Sequence, residues 1–271
     1  MRLSARLFCI LGLVVTWTTT SHASQGVNIQ TVTSTFAPLQ MMQNGRPTGY
    51  VVDLVKKVIE RVNQSQPTVI TATKIQPWQR SFHVAKSSPN VLFFSVSRTP
   101  TREDLFHWVG EVTPYEVYFH KLKRRADLKA ESLEELKAAK LRIGVPKKSN
   151  TETLLLENGF KKGENFVTYS HYTKGIRMLF AGRFDVMPLT IFVARSNVCK
   201  LGLPGDDIEP LMRIDAISKP LWLVFSKGTP EALVDRFRHA LSALKSDGTA
   251  ERLRRDHLTA WQTRPCDQAR H

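Results

Sequence analysis

The run Val91 to Val96 (VLFFSV) does most to restrict how this chain can fold. Five apolar residues in six fit a strand covered on both faces, as in a sheet layered between helices. The segments around it alternate in kind. Val27 to Ser34 alternates apolar and polar residues as a strand does, and Asp53 to Val62 sets Leu54, Val55, Val58, Ile59 and Val62 on one helical face. Thr68 to Ile75 reads as a second strand. Pro77 to Lys86 reads as a helix with Trp78, Phe82 and Ala85 on one stripe.

A second series follows Tyr115 to Leu122. Ser132 and Glu135 form a capping box for a helix through Lys140, and the strand Leu141 to Val145 comes next. A helix from Thr151 stops near Gly159, and the strand Phe166 to Tyr172 is followed by a helix ending before Gly182. Asp185 to Ile191 and Leu221 to Ser226 read as strands. Thr229 as N-cap and Pro230 at the first helical position open a helix to Gly248 along Leu233, Val234, Phe237, Leu241 and Leu244. A last helix covers Ala250 to Trp261. The closing helices have no strands of their own. The pattern therefore predicts an α/β protein of two lobes, the C-terminal helices packing back on the first and a ligand cleft between the lobes.

The chain opens as an export leader. Arg2 and Arg6 precede the apolar stretch Leu7 to Trp17, and Ser21-His22-Ala23 supplies small residues for cleavage after Ala23. The apolar stretch falls short of the ~20 residues that span a bilayer. Of the cysteines, Cys9 lies within the leader, and Cys199 and Cys266 remain. In an oxidising compartment these two are candidates for a bridge tying the C-terminal tail to the second lobe, and sequence leaves the pairing open. The formal net charge is +15, or +13 without Arg2 and Arg6. The cations are scattered apart from Lys121 to Arg125 and Arg252 to Arg255, and no nucleic-acid motif accompanies them. The charge reads instead as a basic surface attracted to anionic ligands or membrane faces.

Several short stretches resemble the extracytoplasmic solute-binding proteins of family 3, typified by the periplasmic binding proteins of polar amino-acid ABC transporters. Phe36-Ala37-Pro38-Leu39 with Gly49-Tyr50-Val51-Val52-Asp53-Leu54 is similar to that family's opening, and Ser95-Val96-Ser97-Arg98-Thr99-Pro100-Thr101-Arg102 to its S-x-S-x-T-x-x-R stretch. Gly144-Val145 with Ser149-Asn150, Gly182-Arg183-Phe184-Asp185, and Ser226 to Pro230 resemble later landmarks. Lys148 stands where the family carries glycine. The resemblance implies a type II periplasmic-binding-protein fold with a two-strand hinge. Residues 24–115 and 224–271 would form the first lobe and residues 116–223 the second. It also implies a small-molecule ligand, delivery to an inner-membrane ABC permease or a sensor, a monomer, and no cofactor.

By the same resemblance Arg102 would hold a ligand carboxylate, for which a guanidinium fork is well matched. Ser97 and Ser95 would assist, and Phe36 and Trp78 would flank the ligand. Ser149 and Asn150 would offer N–H groups at a helix start. Two positions depart from the amino-acid binders. Thr190 stands where an acid usually meets the ligand's ammonium, and Thr33 where binders of basic amino acids carry an acid. Threonine cannot neutralise a buried cation, so the expected ligand is an organic acid or an amino-acid derivative. An enzyme is the rival reading, because a few relatives are periplasmic dehydratases. Yet the chain has no HExxH, no G-x-S-x-G and no zinc-type His/Cys spacing. Glu103, Glu111, Glu116 and Asp185 are its candidate acids, and the scattered histidines read as surface or partly buried.

Overall fold

The computed structural model describes residues 27–65, 67 and 69–267, so the leader lies outside the described residues. The first part of the chain runs β1 (Gln30–Thr33), the hairpin β2 (Met41–Gln43) and β3 (Arg46–Thr48), α1 (Tyr50–Asn63), β4 (Lys74–Ile75), α2 (Trp78–Ser87), β5 (Val91–Ser97), a 3-10 turn over Pro100–Leu105 and β6 (Phe106–Thr113). The chain then crosses into β7 (Val117–Leu122), α3 (Leu133–Ala138), β8 (Ile143–Pro146), α4 (Asn150–Glu157), β9 (Phe166–Tyr169), α5 (Tyr172–Phe180), β10 (Met187–Thr190), α6 (Ala194–Lys200) and β11 (Ile208–Arg213). It returns through β12 (Leu221–Ser226), α7 (Glu231–Ser246) and α8 (Thr249–Gln262).

One sheet has the order β4-β1-β5-β12-β6, with β1 parallel to β4 and β5 and β12 antiparallel to both its neighbours. The other contains β10-β7-β11, antiparallel throughout, and a parallel bridge from Ile143 to Val186 attaches the parallel pair β8-β9 beside it. Two connections join the sheets, one between β6 and β7 and one between β11 and β12. Leu221 already pairs with Ser97 and Thr113, three residues ahead of the return expected at residue 224.

β5 has the double-sided burial its composition requires. Leu92 and Phe94 face the α1, α7 and α8 side, and Val91 and Phe93 face α2. Strict alternation would send Val96 with Leu92. Instead Ser95 adopts φ +64°, the register with β12 slips between Trp222 and Leu223, and Val96 joins the α2 side. One inserted residue thus reverses the faces of everything after it. On the first side α1 buries Tyr50, Leu54, Val55, Val58 and Val62. Gly49, at φ +117°, opens that helix where a Cβ would lie 2.5 Å from the Leu39 carbonyl oxygen. α7 presents the apolar face expected of it, with Leu233, Val234, Phe237, Leu241 and Leu244 buried.

At two helix starts the caps are informative. Ser132 accepts the Glu135 N–H at 3.1 Å as expected, while the Glu135 carboxylate takes the N–H of Glu131. Pro230, not Thr229, precedes the first residue of α7, and the Thr229 hydroxyl is paired with that of Ser226 at 3.2 Å. Cys199 on α6 and Cys266 beyond α8 form a disulfide, with Cα atoms 4.8 Å apart. The tail that carries Cys266 is also held where Arg195 donates to the Arg264 carbonyl at 2.6 Å. α8 packs on α1, so this tail is a third covalent link between the parts of the molecule. Among the described residues no helix is long and apolar enough to cross a membrane.

Candidate functional site

The expected site residues gather at the carboxyl ends of parallel strands in both halves, the usual place for ligands in such sheets. Past β1 the chain closes a small loop in which Phe36 and Gln40 exchange backbone hydrogen bonds of 2.8 and 3.0 Å. The Ser95 hydroxyl donates to the buried Gln40 side-chain oxygen at 2.9 Å. The bulge at Ser95 therefore anchors the loop that carries Phe36, and the Ser95 hydroxyl is committed to that bond. Thr33 is equally committed: its hydroxyl donates to Phe94 O at 3.0 Å, and its carbonyl accepts from Ser81 and the Gln76 N–H.

Two arginines follow β5 and have opposite surroundings. Arg98 is bonded twice to Glu103 and lies between the rings of Trp108 and Trp222, 5.0 and 4.6 Å from their centroids. Its charge is answered, and Glu103 is consumed in answering it. Arg102 donates to the Ser97 carbonyl at 3.1 Å and stacks 4.9 Å over Trp78 and 5.6 Å over Phe82. No carboxylate meets it among the described residues. Partial burial alone acts on its pKa and lowers it from the ordinary value, which favours an anion beside it. Trp78 stacks on Phe82 at 4.9 Å yet remains 37% exposed, while Ala85 further along α2 is fully buried. The stripe expected on this helix is thus core at one end and open surface at the other.

In the second half, Ser149 caps α4 by accepting the Glu152 N–H at 3.2 Å, and Asn150 is the first residue of that helix. Glu152 turns back to accept from the Lys148 N–H at 2.5 Å and from Lys162 at 3.0 Å. Lys148, in the glycine position, has the left-handed φ of +59° that such a residue would adopt freely. Thr190 ends β10 and is buried, and its hydroxyl has no partner among the described residues. A buried hydroxyl left unbonded is costly unless a ligand or water meets it.

Sequence reasoning missed two tyrosines. Tyr115, on the crossing from β6 to β7, meets the edge of Phe36 with ring centroids 5.8 Å apart. Tyr172 opens α5 and is 48% exposed, 6.0 Å from the ring of Tyr169. The hydroxyl of Tyr115 is held above its ordinary pKa, first by burial and then by Tyr172. A row of aromatic rings thus runs from the Phe36 loop through the crossing to α5. Tyr172 had a readable signal: it opens its helix directly after a strand, as Trp78 does.

A cavity of about 580 Å³ lies at the crossings and contains none of the expected site residues. Tyr115, Arg213, Lys245 and Arg254 line it, and its Glu116 and Glu251 are paired with Arg213 and Arg254. The remaining candidate acid with a clear partner is Asp185, bonded to Arg125 at 2.8 Å and to the Arg142 N–H at 2.8 Å. The expectation of surface or partly buried histidines fails at His120, which is 1% exposed. Burial depresses its pKa to about 4. Among the described residues no cluster of His, Cys, Asp or Glu could hold a metal ion.

Two sheets joined by two crossings, with polar and aromatic side chains at their facing strand ends, define a two-lobed ligand-binding protein. Residues 29–260 match the bacterial extracellular solute-binding proteins of family 3, and the chain belongs to that family. The second substrate-binding domain of a putative amino-acid ABC transporter from Streptococcus pneumoniae is similar in structure, with a TM-score of 0.68 at 19% identity. The match covers 85% of this chain and 99% of that one. Substrate-binding domain 2 of Lactococcus lactis GlnP, in an open conformation, aligns with a TM-score of 0.65 at 16% identity over 83% and 93% of the two chains. A histidine kinase sensor domain with similarity to periplasmic binding proteins gives 0.60 at 19% identity, over 86% and 96%. At such identities the likeness is one of fold. No curated protein matches the chain by sequence.

Proposed function

We propose that this is a periplasmic solute-binding protein, exported behind its leader, that closes its lobes on a small carboxylate-bearing ligand and delivers it to an ABC permease. The observation that carries the reading is the Arg102 guanidinium, placed at the end of β5 on an exposed aromatic ring and, among the described residues, lacking a counter-ion. In this role Arg102 takes the carboxylate, Ser97 lies beside it, and Trp78 and Phe36 flank the body of the ligand. Ser149 and Asn150 close from α4, and Thr190 offers its free hydroxyl. Ser95 acts indirectly, by holding the Phe36 loop through Gln40. Thr190 leaves an ammonium unanswered, which favours an organic acid or amino-acid derivative over a free α-amino acid. The protein acts as a monomer without a cofactor and catalyses no reaction. Docking on a membrane sensor is the second reading, supported by the likeness to a histidine kinase sensor domain.

The test is a thermal-shift screen of amino acids, dicarboxylates, aromatic acids and amines, run beside Arg102→Ala. A ligand at a hundred times its Kd adds ~2.7 kcal/mol of stability. A shift with a carboxylate compound that vanishes in the variant is the expected result. A shift that survives the substitution refutes the site, and tight binding of arginine or lysine refutes the ligand class.

A further inference from the structure

The exposed face of α5 and the turn after it carry more positive charge than the fold uses. A helix C-terminus attracts cations, and here that need is met: Arg124 donates to the Phe180 carbonyl at 3.0 Å and Arg142 to the Gly182 carbonyl at 2.9 Å. Arg125 is satisfied as well, by Asp127 and Asp185. Three further cations remain. Lys174, Arg177 and Arg183 line one open groove of about 350 Å³ together with Thr173, Met178 and Ala181, and no acidic residue lines it. All three are exposed, and none pairs with a carboxylate among the described residues. Lys174, Arg177 and Ala181 are spaced three and four apart, so they share one face of α5. Tyr172, which belongs to the aromatic row near the cleft, lies on the opposite side of α5, in line with the buried Ile176 and Leu179. The groove therefore faces away from the ligand site.

We propose that this groove is a docking surface for an anionic phospholipid membrane, with lipid phosphates as the groups it takes. Arginine and lysine without counter-ions match phosphate oxygens in charge and geometry. A protein partner fits less well, because a specific protein interface is built around buried aromatic or aliphatic anchors. The groove's only large apolar side chain is Met178. Peripheral attachment through a few cations needs no such anchor. It would hold the binding protein near its membrane partner with the cleft unobstructed, whichever ligand the cleft takes.

The experiment uses the chain from Ser24 onward, which keeps every described element and removes the apolar leader. Sedimentation is measured with vesicles of phosphatidylcholine alone and with vesicles containing phosphatidylglycerol. The expected result is binding to the second kind only, weakened by salt. Each cation near an anionic surface changes partition about fivefold, so losing all three costs about a hundredfold, and Lys174→Glu/Arg177→Glu/Arg183→Glu, which also adds three negative charges, should bind at least that much more weakly. A control with the same change in net charge, Lys56→Glu/Lys57→Glu/Arg61→Glu on the outer face of α1, should keep most of the binding. Far-ultraviolet circular dichroism and the melting temperature of both variants check that they are folded. No binding of the parent chain to either vesicle overturns the proposal and leaves an acidic protein partner as the rival. Equal loss in both variants also overturns it, since net charge and not the groove would then be responsible.

Discussion

Opening the disulfide should cost this protein more than any single side-chain contact. Cys199 and Cys266 are 67 residues apart in sequence. Closing a loop of that length lowers the entropy of the unfolded chain by an amount worth about 4.4 kcal/mol at 25 °C. Unfolding about 240 residues carries an entropy near 0.5 kcal/mol per kelvin, so Cys266→Ala should melt about 9 °C lower. The Arg195 bond to the Arg264 carbonyl depends on the same tail, and its loss would add about 1 kcal/mol. The assay is thermal unfolding followed by far-ultraviolet circular dichroism and by tryptophan fluorescence, at one scan rate. Coincidence of the two probes checks that the lobes unfold together. Wild-type protein refolded under reductant should reproduce the variant, and the variant should ignore reductant. A variant that melts within about 2 °C of the oxidised wild type refutes the reasoning, because the tail would then contribute nothing to holding the unfolded ensemble in check. So would a variant that is itself sensitive to reductant.

Two other outcomes follow from close packing and burial in the second lobe. In Gly175→Ala the new Cβ would lie 2.7 Å from Cζ of Tyr169, and the overpacking should outweigh the gain in helix propensity for a net loss of about 1–2 kcal/mol in urea unfolding. Unchanged stability would show that the Tyr169 ring is free to move. His120 is held neutral by burial with a pKa near 4, below the ordinary value of about 6.5 in the unfolded chain. The unfolded state binds this proton first, so stability is full above about pH 6.5, falls between about pH 6.5 and 4, and levels off below. The fall attributable to His120 is ~3 kcal/mol, and His120→Gln should flatten the stability profile by that amount over that window. Parallel profiles for the two proteins would refute the assignment.

The regular elements were legible wherever one force dominated. β12 matches the predicted Leu221 to Ser226, α1, α2 and α7 fall within a few residues of their apolar stripes, α5 ends before Gly182, and α8 spans the range expected of the last helix. β6 and β11 were not legible. Gly110 interrupts the first, and Pro210 and the flanking charges disguise the second, which is paired on one side only. The strand read over Thr68 to Ile75 begins on a residue outside the described ones, and of residues 69–75 much is exposed and only Ile70 and Lys74–Ile75 pair with the sheet, which leaves the two-residue β4. At the candidate site the motif located Arg102, but only the structure separates its open charge from the neutralised charge of Arg98. Likewise the bulge that binds Ser95 to Gln40 depends on a backbone angle that no side-chain pattern encodes.

The order of strands in the first sheet has a consequence for synthesis. β12 lies between β5 and β6, yet it is the last strand in the chain. A chain delivered N-terminus first can complete the second sheet from one contiguous stretch. The first sheet must wait for Leu221 while about a hundred residues pass after Thr113. During that interval β5 presents VLFFSV beside an unfilled slot, a short β-prone apolar segment with an open edge. The nascent protein is therefore most prone to aggregate at the strand that later becomes the best buried, and a holding chaperone would have its reason to act in that interval.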